Sequence, residues 1–444
     1  MAKQDSNRNQ INILKQIIQT NIFFLIGVGS LLLSFERLLT QEIIQEAFNR
    51  FQITSTYRLN SAGSKRLTLE DISGDITLKS DDQKFLLIEE VVFINAVSEI
   101  NALNSYLDAK IILESEGNTV RLTGHTYSNK IREVYLRITV PASPPTGHFS
   151  YIRADLTTGN ITASKLSGEL FLTTQNGNIT LNQIRGRTIV SSLVGNTTCS
   201  QIFGNTTLVA GAGNINAETI SGDADISCDS GIVEIRAIEG DITYTGGNGN
   251  ITISDVTGRT VSVQTLKGEI IIENLVADCF AKSLLGDIQA ADVDGNLDLF
   301  SSNGDINLNN ITGDILCWTR NGSIIGQQLW GCVNLQTSAG DILLNKSWDG
   351  TTSGQTIDAI TEAGNIFLKL PRKFPADFQV EINHPEGRPF QAIVSDFPLY
   401  LEASSITTTG IGTTSDNPIA VNLSSSFGRV DIRWSENNIL PATP

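Results

Sequence analysis

The chain has 444 residues, 18% of them charged, with 31 basic against 47 acidic side chains and a net charge of −16. A surface of that sign repels nucleic acid and anionic headgroups, and no basic stripe with interleaved aromatics is present, which argues against nucleic-acid partners. With 40% hydrophobic residues the chain is no disordered acidic tail. Its three histidines (His125, His148, His384) are scattered and its five cysteines show no CxxC spacing, so neither a metal site nor a cofactor is predicted.

Residues 1–15 carry Lys3, Arg8 and Lys15 and read as a cytoplasmic tail. Residues 16–35, ending in NIFFLIGVGSLLLSF, hold no charge and approach the ~20 apolar residues that a spanning helix needs. No A-x-A cleavage pattern follows, so the stretch reads as an uncleaved signal-anchor; a buried helix covering one end of the fold is the alternative. Residues 36–56 are predicted as an amphipathic helix or stalk, from Leu39, Ile43, Ala47 and Phe51 at a spacing of four. Residues 57–151 are assigned to an N-terminal β cap and first coils, with DISGDITLKS (Asp71–Ser80) already carrying a glycine corner.

Residues 152–370 form a repeat. Glycines fall nine residues apart from Gly159 through Gly177, Gly195, Gly213 and Gly249 to Gly258. A one-residue slip leads to Gly268, Ala277 stands in for the next glycine, and the count resumes through Gly286 and Gly304 to Gly340. Asn or Asp commonly follows the glycine, which marks a tight corner because positive φ is cheap without a Cβ. Apolar residues at the second and fourth places after glycine give the period of two that a strand requires. Two unit types alternate. One adds an apolar residue at the seventh place (Leu166, Ile184, Ile311), a phase break that predicts a bend; the other has a small residue at the sixth (Thr174, Ser192, Ala210, Ser301). The true period is therefore eighteen.

These features predict an all-β chain: a parallel β-solenoid of about ten coils, each of two nine-residue units, with β-rich caps and an N-terminal α-helical membrane anchor. Single-residue slips and the phase break disfavour a meander of hairpins. A lone coil cannot offset the ~1–2 kcal/mol per residue of backbone ordering, so only stacking makes it stable. At ~4.8 Å per coil the rod would be about 50 Å long. Residues 371–444 are assigned to a C-terminal β cap.

Several residue sets invite a chemical reading. Asp287 with Asp305, and Asp223 with Asp241, recur at one corner on successive coils and could bridge a cation, although the calcium-binding G-G-x-G-x-D repeat is missing; solvated turn residues are the simpler reading. Cys199, Cys228, Cys279 and Cys317 sit at inward places and Cys332 at an outer one, with no disulfide predicted. N-x-[ST] triplets such as those at Asn160, Asn178 and Asn250 coincide with corners. Trp318, Trp330 and Trp348 fall at outward places on neighbouring coils and form a possible partner-binding surface, the alternative being packing beneath the C-terminal cap.

The stretch LRITVP…SYIRADLTTGNITASKLSGELFLTTQNGNITL, with GNIN at Gly213–Asn216 and GDIT at Gly240–Thr243, resembles the bacterial "putative adhesin" β-strand repeat family and the related head domain named for its G-I-N motif. The resemblance spans roughly Leu67 to Trp434. It implies an envelope-attached β-solenoid outside the cytoplasm and no reaction. The functional expectation is a non-catalytic, single-pass membrane protein, N-terminus cytoplasmic, whose extracytoplasmic solenoid serves as an adhesin-like or scaffold surface for a protein or glycan. Two alternatives stay open: a structural subunit of a larger membrane complex docked through the N-terminal helix, and a polysaccharide-active β-helix enzyme. The latter needs clustered carboxylates with acid and base roles, and the ladders hold mainly Asn, Thr and Ser.

Overall fold

The computed structural model describes residues 38–59, 64–124, 131–142, 149–350, 355–383 and 393–435. In the repeat, consecutive strands lie on opposite sides and pair in parallel with the strand eighteen residues away. Ile161 pairs with Ile179, Ile179 with Thr197 and Thr197 with Ile215 on one ladder; Leu170 pairs with Thr188 and Thr188 with Thr206 on the other. The first ladder runs from Asp75–Asp81 through Ile179–Arg185 to Ile366–Pro371 and Val430–Ser435. The second runs from Tyr151–Thr158 through Thr188–Val194 to Thr356–Ala363 and Ile419–Ser425. This is the topology of a solenoid, and the hairpin meander is excluded for these strands.

Inward rows from both ladders meet in one core. Ile179, Leu181 and Ile184 face Val190 and Ser192, and all five are buried. The predicted bend sits one residue before Ile184. Gln183 is left-handed (φ 56°), as are Lys165, Gln201 and Thr219 at the same place in their coils. Asn182 and Gln183 therefore both point outward, and Ile184 turns in. A left-handed non-glycine residue costs ~1–2 kcal/mol, which the ~1.5–3 kcal/mol from burying the isoleucine offsets.

The glycines have a second reason beyond φ. Gly195 adopts φ +142°, and a Cβ there would land on the carbonyl oxygen of Gly177, one coil below. Gly159, Gly177, Gly213 and Gly249 also have positive φ and the same kind of backbone neighbour. Gly304 is required by close approach alone: its Cβ would strike Gly286. Ala277 is tolerated because the strand Ile270–Leu285 passes straight through that corner. Beneath it, the extra residue near Arg259 shifts the register between Thr257 and Thr260.

Antiparallel strands close both ends. Leu86–Asn95 lies antiparallel to Ile131–Pro141, and Arg50–Leu59 and Leu38–Ala47 follow outward. At the other end Ala376–Asn383 pairs with Ile419–Ser425 and, antiparallel, with Thr407–Thr413. Such reversals stop a ladder from templating further parallel strands. The short helix Glu99–Leu107, capped by Ser98, covers a second small core of Phe51, Ile53, Val92 and Ile94.

One expectation is corrected. The segment expected as an amphipathic helix over 36–56 is, in its described part from residue 38, a β-hairpin of Leu38–Ala47 and Arg50–Leu59 turned at Asn49 (φ 63°). A spacing of four is an even number, so it marks one face of a strand as well as of a helix, and pairing with Leu86–Asn95 decides the case. The proposed spanning segment 16–35 and tail 1–15 lie outside the described residues. Among the described residues no helix is long and apolar enough to cross a membrane.

Candidate binding face

Most polar side chains of the coils are committed to the fold. At one corner the Asn160 Oδ1 accepts the Asn178 N–H (2.8 Å), Asn178 that of Asn196 (2.8 Å) and Asn196 that of Asn214 (2.9 Å). The aspartates do the same: Asp287 accepts from Asp305 (2.8 Å), Asp305 from Ser323 (2.7 Å), and Asp223 from Asp241 (3.1 Å). They are exposed turn residues that also serve as ladder acceptors. Asp241 is held below the usual carboxylate range because it accepts from the Arg259 and Thr260 backbone and from the Arg259 guanidinium. Among the described residues no group of three or more His, Cys, Asp or Glu side chains is placed to hold a metal. The triplets at Asn160, Asn178 and Asn250 are absorbed likewise, Asn250 accepting from the Glu269 N–H.

The small residues at the sixth place form an inner ladder that sequence reading noticed without explaining. Ser192 donates to the Gly177 carbonyl (3.1 Å), Ser283 to Gly268 (3.1 Å), Ser301 to Gly286 (3.1 Å) and Thr319 to Gly304 (2.9 Å). Each buried hydroxyl satisfies the carbonyl of the corner that follows the coil below. Cys228 occupies this slot with its Sγ 3.5 Å from the Gly213 oxygen. All five cysteines are free thiols. Burial pushes the Cys199 and Cys279 thiols up to about 12, which makes them inert packing groups. His125, His148 and His384 lie outside the described residues.

The three tryptophans are not brought together. Trp318 belongs to the second ladder, whereas Trp330 and Trp348 follow strands of the first. Trp348 is half-buried and packs against the core, its ring 5.8 Å from Phe374 under the C-terminal cap. The Trp330 carbonyl accepts from the Lys346 Nζ (2.5 Å), which also reaches the Leu329 carbonyl (3.0 Å). Lys346 replaces the seventh-place apolar residue and ties down the corner where the chain leaves for the longer excursion before Gly364. Its amine is pushed down to about 8 by burial. Trp318 stacks on Phe300 of the coil below (4.5 Å, 15°), and the Lys282 Nζ lies 5.1 Å from the Phe300 ring on the coil before that.

Beside this aromatic rib the second ladder carries a groove of about 540 Å³. Its outward column runs Ser262, Phe280, Asp298, Leu316, one residue per coil. Its rim is the corner column, in which Asp278 accepts the Asn296 N–H (2.9 Å) and Asp314 the Cys332 N–H (2.8 Å). The groove lies over coils that include the Thr257/Thr260 slip and Ala277, a break in the regularity of the repeat. No Lys or Arg lines it. Asp298 is exposed like the corner aspartates and stands between Phe280 and Leu316, but its carboxylate, unlike those of Asp278 and Asp314, makes no hydrogen bond or ion pair among the described residues. Leu316 is 46% exposed. Sequence reading found Trp318 but missed Phe280, Asp298 and Leu316; the available signal was the large apolar residues at outward third places next to the slip.

The architecture thus defines an all-β repeat protein of two parallel ladders with a shallow outward groove. The family model described as Toastrack DUF4097 matches residues 238–425, which contain that groove. No curated protein matches the chain. Among solved structures it is similar to a "Putative lipid binding protein" from Parabacteroides distasonis, at 16% identity over 62% of this chain and 97% of that one, with a TM-score of 0.29. It is also similar to a "putative adhesin" from Bacteroides fragilis (11% identity, 71% and 95% covered, TM-score 0.21) and a "putative cell adhesion protein" from Clostridium sporogenes (10%, 90% and 100%, TM-score 0.14).

Proposed function

We propose that the chain is a non-catalytic binding protein: a rigid β rod, anchored in the membrane through residues 16–35 and extracytoplasmic beyond them, that offers the outward face of its second ladder to a partner. The observation that carries this reading is the contrast between committed and free groups. The corner carboxylates and inner hydroxyls are spent on backbone partners, which leaves them poorly suited to acid–base work. Asp298, flanked by Phe280 and Leu316, is free and exposed. A mixed apolar and polar groove on rigid strands is pre-organised for docking at little entropic cost. The charge-free run at 16–35 with basic residues before it supports the anchor.

The test is comparative recovery from native membranes. The wild-type chain is expected to co-purify a stoichiometric partner that a Phe280→Ser/Leu316→Ser chain, equally folded by circular dichroism, fails to retain. An unchanged partner set would reject this face. Release of sugar from polysaccharide, abolished by one carboxylate substitution, would reject the non-catalytic reading.

A further inference from the structure

We infer that the groove takes a basic segment of a partner protein, seated through a lysine or arginine whose hydrocarbon stem lies on Phe280 and Leu316 and whose cationic head meets Asp298. This rests on the binding role proposed for the same face. Three carboxylates, Asp278, Asp298 and Asp314, line the groove and no basic side chain does. Asp278 and Asp314 each accept a backbone N–H through one oxygen, while Asp298 has both carboxylate oxygens unpaired among the described residues. Covering that carboxylate with a neutral partner would strand a desolvated charge, so an occupant must bring a cation to it.

The walls narrow the choice further. Phe280 and Leu316 sit one coil below and one coil above Asp298 in the same outward column. A bare metal ion or a small hydrated amine leaves them exposed. Lysine and arginine join an aliphatic stem to a charged end and cover both kinds of surface at once. The net charge of −16 steers such a partner toward the rod. A glycan fits less well. Sugars stack on ring faces, but one face of Phe300 carries Trp318 and Lys282 approaches from the opposite side. Because those rings stack along the rod, they turn their edges outward.

The experiment is fluorescence anisotropy of the full chain in detergent with labelled hexalysine, with maltohexaose and hexaglutamate as competitors. Asp298→Asn is expected to weaken hexalysine binding at least tenfold, and Leu316→Ser several-fold. Asp225→Asn makes the same charge change in the same outward column, on coils away from the groove, and is expected to leave binding unchanged. Equal loss in Asp298→Asn and Asp225→Asn would reduce the effect to general charge and overturn the inference. Unaltered affinity in Leu316→Ser would remove the role of the walls. Displacement by maltohexaose, or binding of maltohexaose without hexalysine, would replace the peptide with a glycan while leaving the binding face standing.

Discussion

At the scale of single residues, the fold turns on which side of a strand a group occupies. Ile179 is fully buried and its neighbour Thr180 is exposed. Ile179→Asp strands a charge in the core and is expected to cost more than 4 kcal/mol, whereas Thr180→Asp should stay within ~0.5 kcal/mol, read by denaturant unfolding. The hydroxyl ladder makes a finer prediction. Ser301→Ala leaves the Gly286 carbonyl unsatisfied and should cost ~1–2 kcal/mol. Ser301→Cys should cost less, since Cys228 fills the equivalent slot. Lys346 yields a pH dependence. Its folded value, about 8, lies below the ordinary 10.5 because of burial, so between these values the unfolded chain binds more protons. Stability therefore rises with pH across that window, and Lys346→Met should flatten the curve in thermal melts.

At the scale of elements, the N-terminal cap was the least legible part. The helix Glu99–Leu107 and the hairpin before it follow from long-range partners rather than local pattern. Glu90 holds that cap together. Its carboxylate accepts from the Tyr106 hydroxyl (2.7 Å) and the Ile111 N–H (3.0 Å), and the Tyr106 oxygen in turn accepts from the Ser55 hydroxyl (2.7 Å). Burial raises the Glu90 carboxyl, with the Tyr106 and Ile111 hydrogen bonds opposing it, and burial pushes the Tyr57 hydroxyl up to about 12. A carboxyl whose folded value is raised contributes stability that is complete below the ordinary 4.5 and lost as pH rises through the folded value. Hydrogen-exchange protection of the helix should fall over that window, and Glu90→Gln, which keeps an acceptor, should abolish the dependence.

At the scale of the whole molecule, the repeat behaves as a one-dimensional stack in which each coil meets only its neighbours. Removing residues 196–213 takes out one eighteen-residue period and lets Asn178 accept the Asn214 N–H in place of Asn196. That deletion is expected to fold cooperatively with the circular dichroism of the parent. Removing only residues 196–204 would put the second unit type on the first ladder, without the left-handed residue at its bend. Loss of a cooperative transition is expected there, and equal behaviour of the two deletions would mean that the two ladders are interchangeable.

Spacing alone was enough for the period, the inward rows at Ile179 and Leu181, the alternation of unit types and the glycine corners, because each is a local steric or hydrophobic demand that recurs in every coil. Contacts between coils supplied the rest. The corner glycines admit no Cβ because another glycine's carbonyl lies below; the Asp and Asn side chains are spent on N–H groups eighteen residues on; Trp348 is folded under a cap. The groove around Asp298 arises the same way, since Phe280, Asp298 and Leu316 are distant along the chain and become neighbours only when coils stack in register.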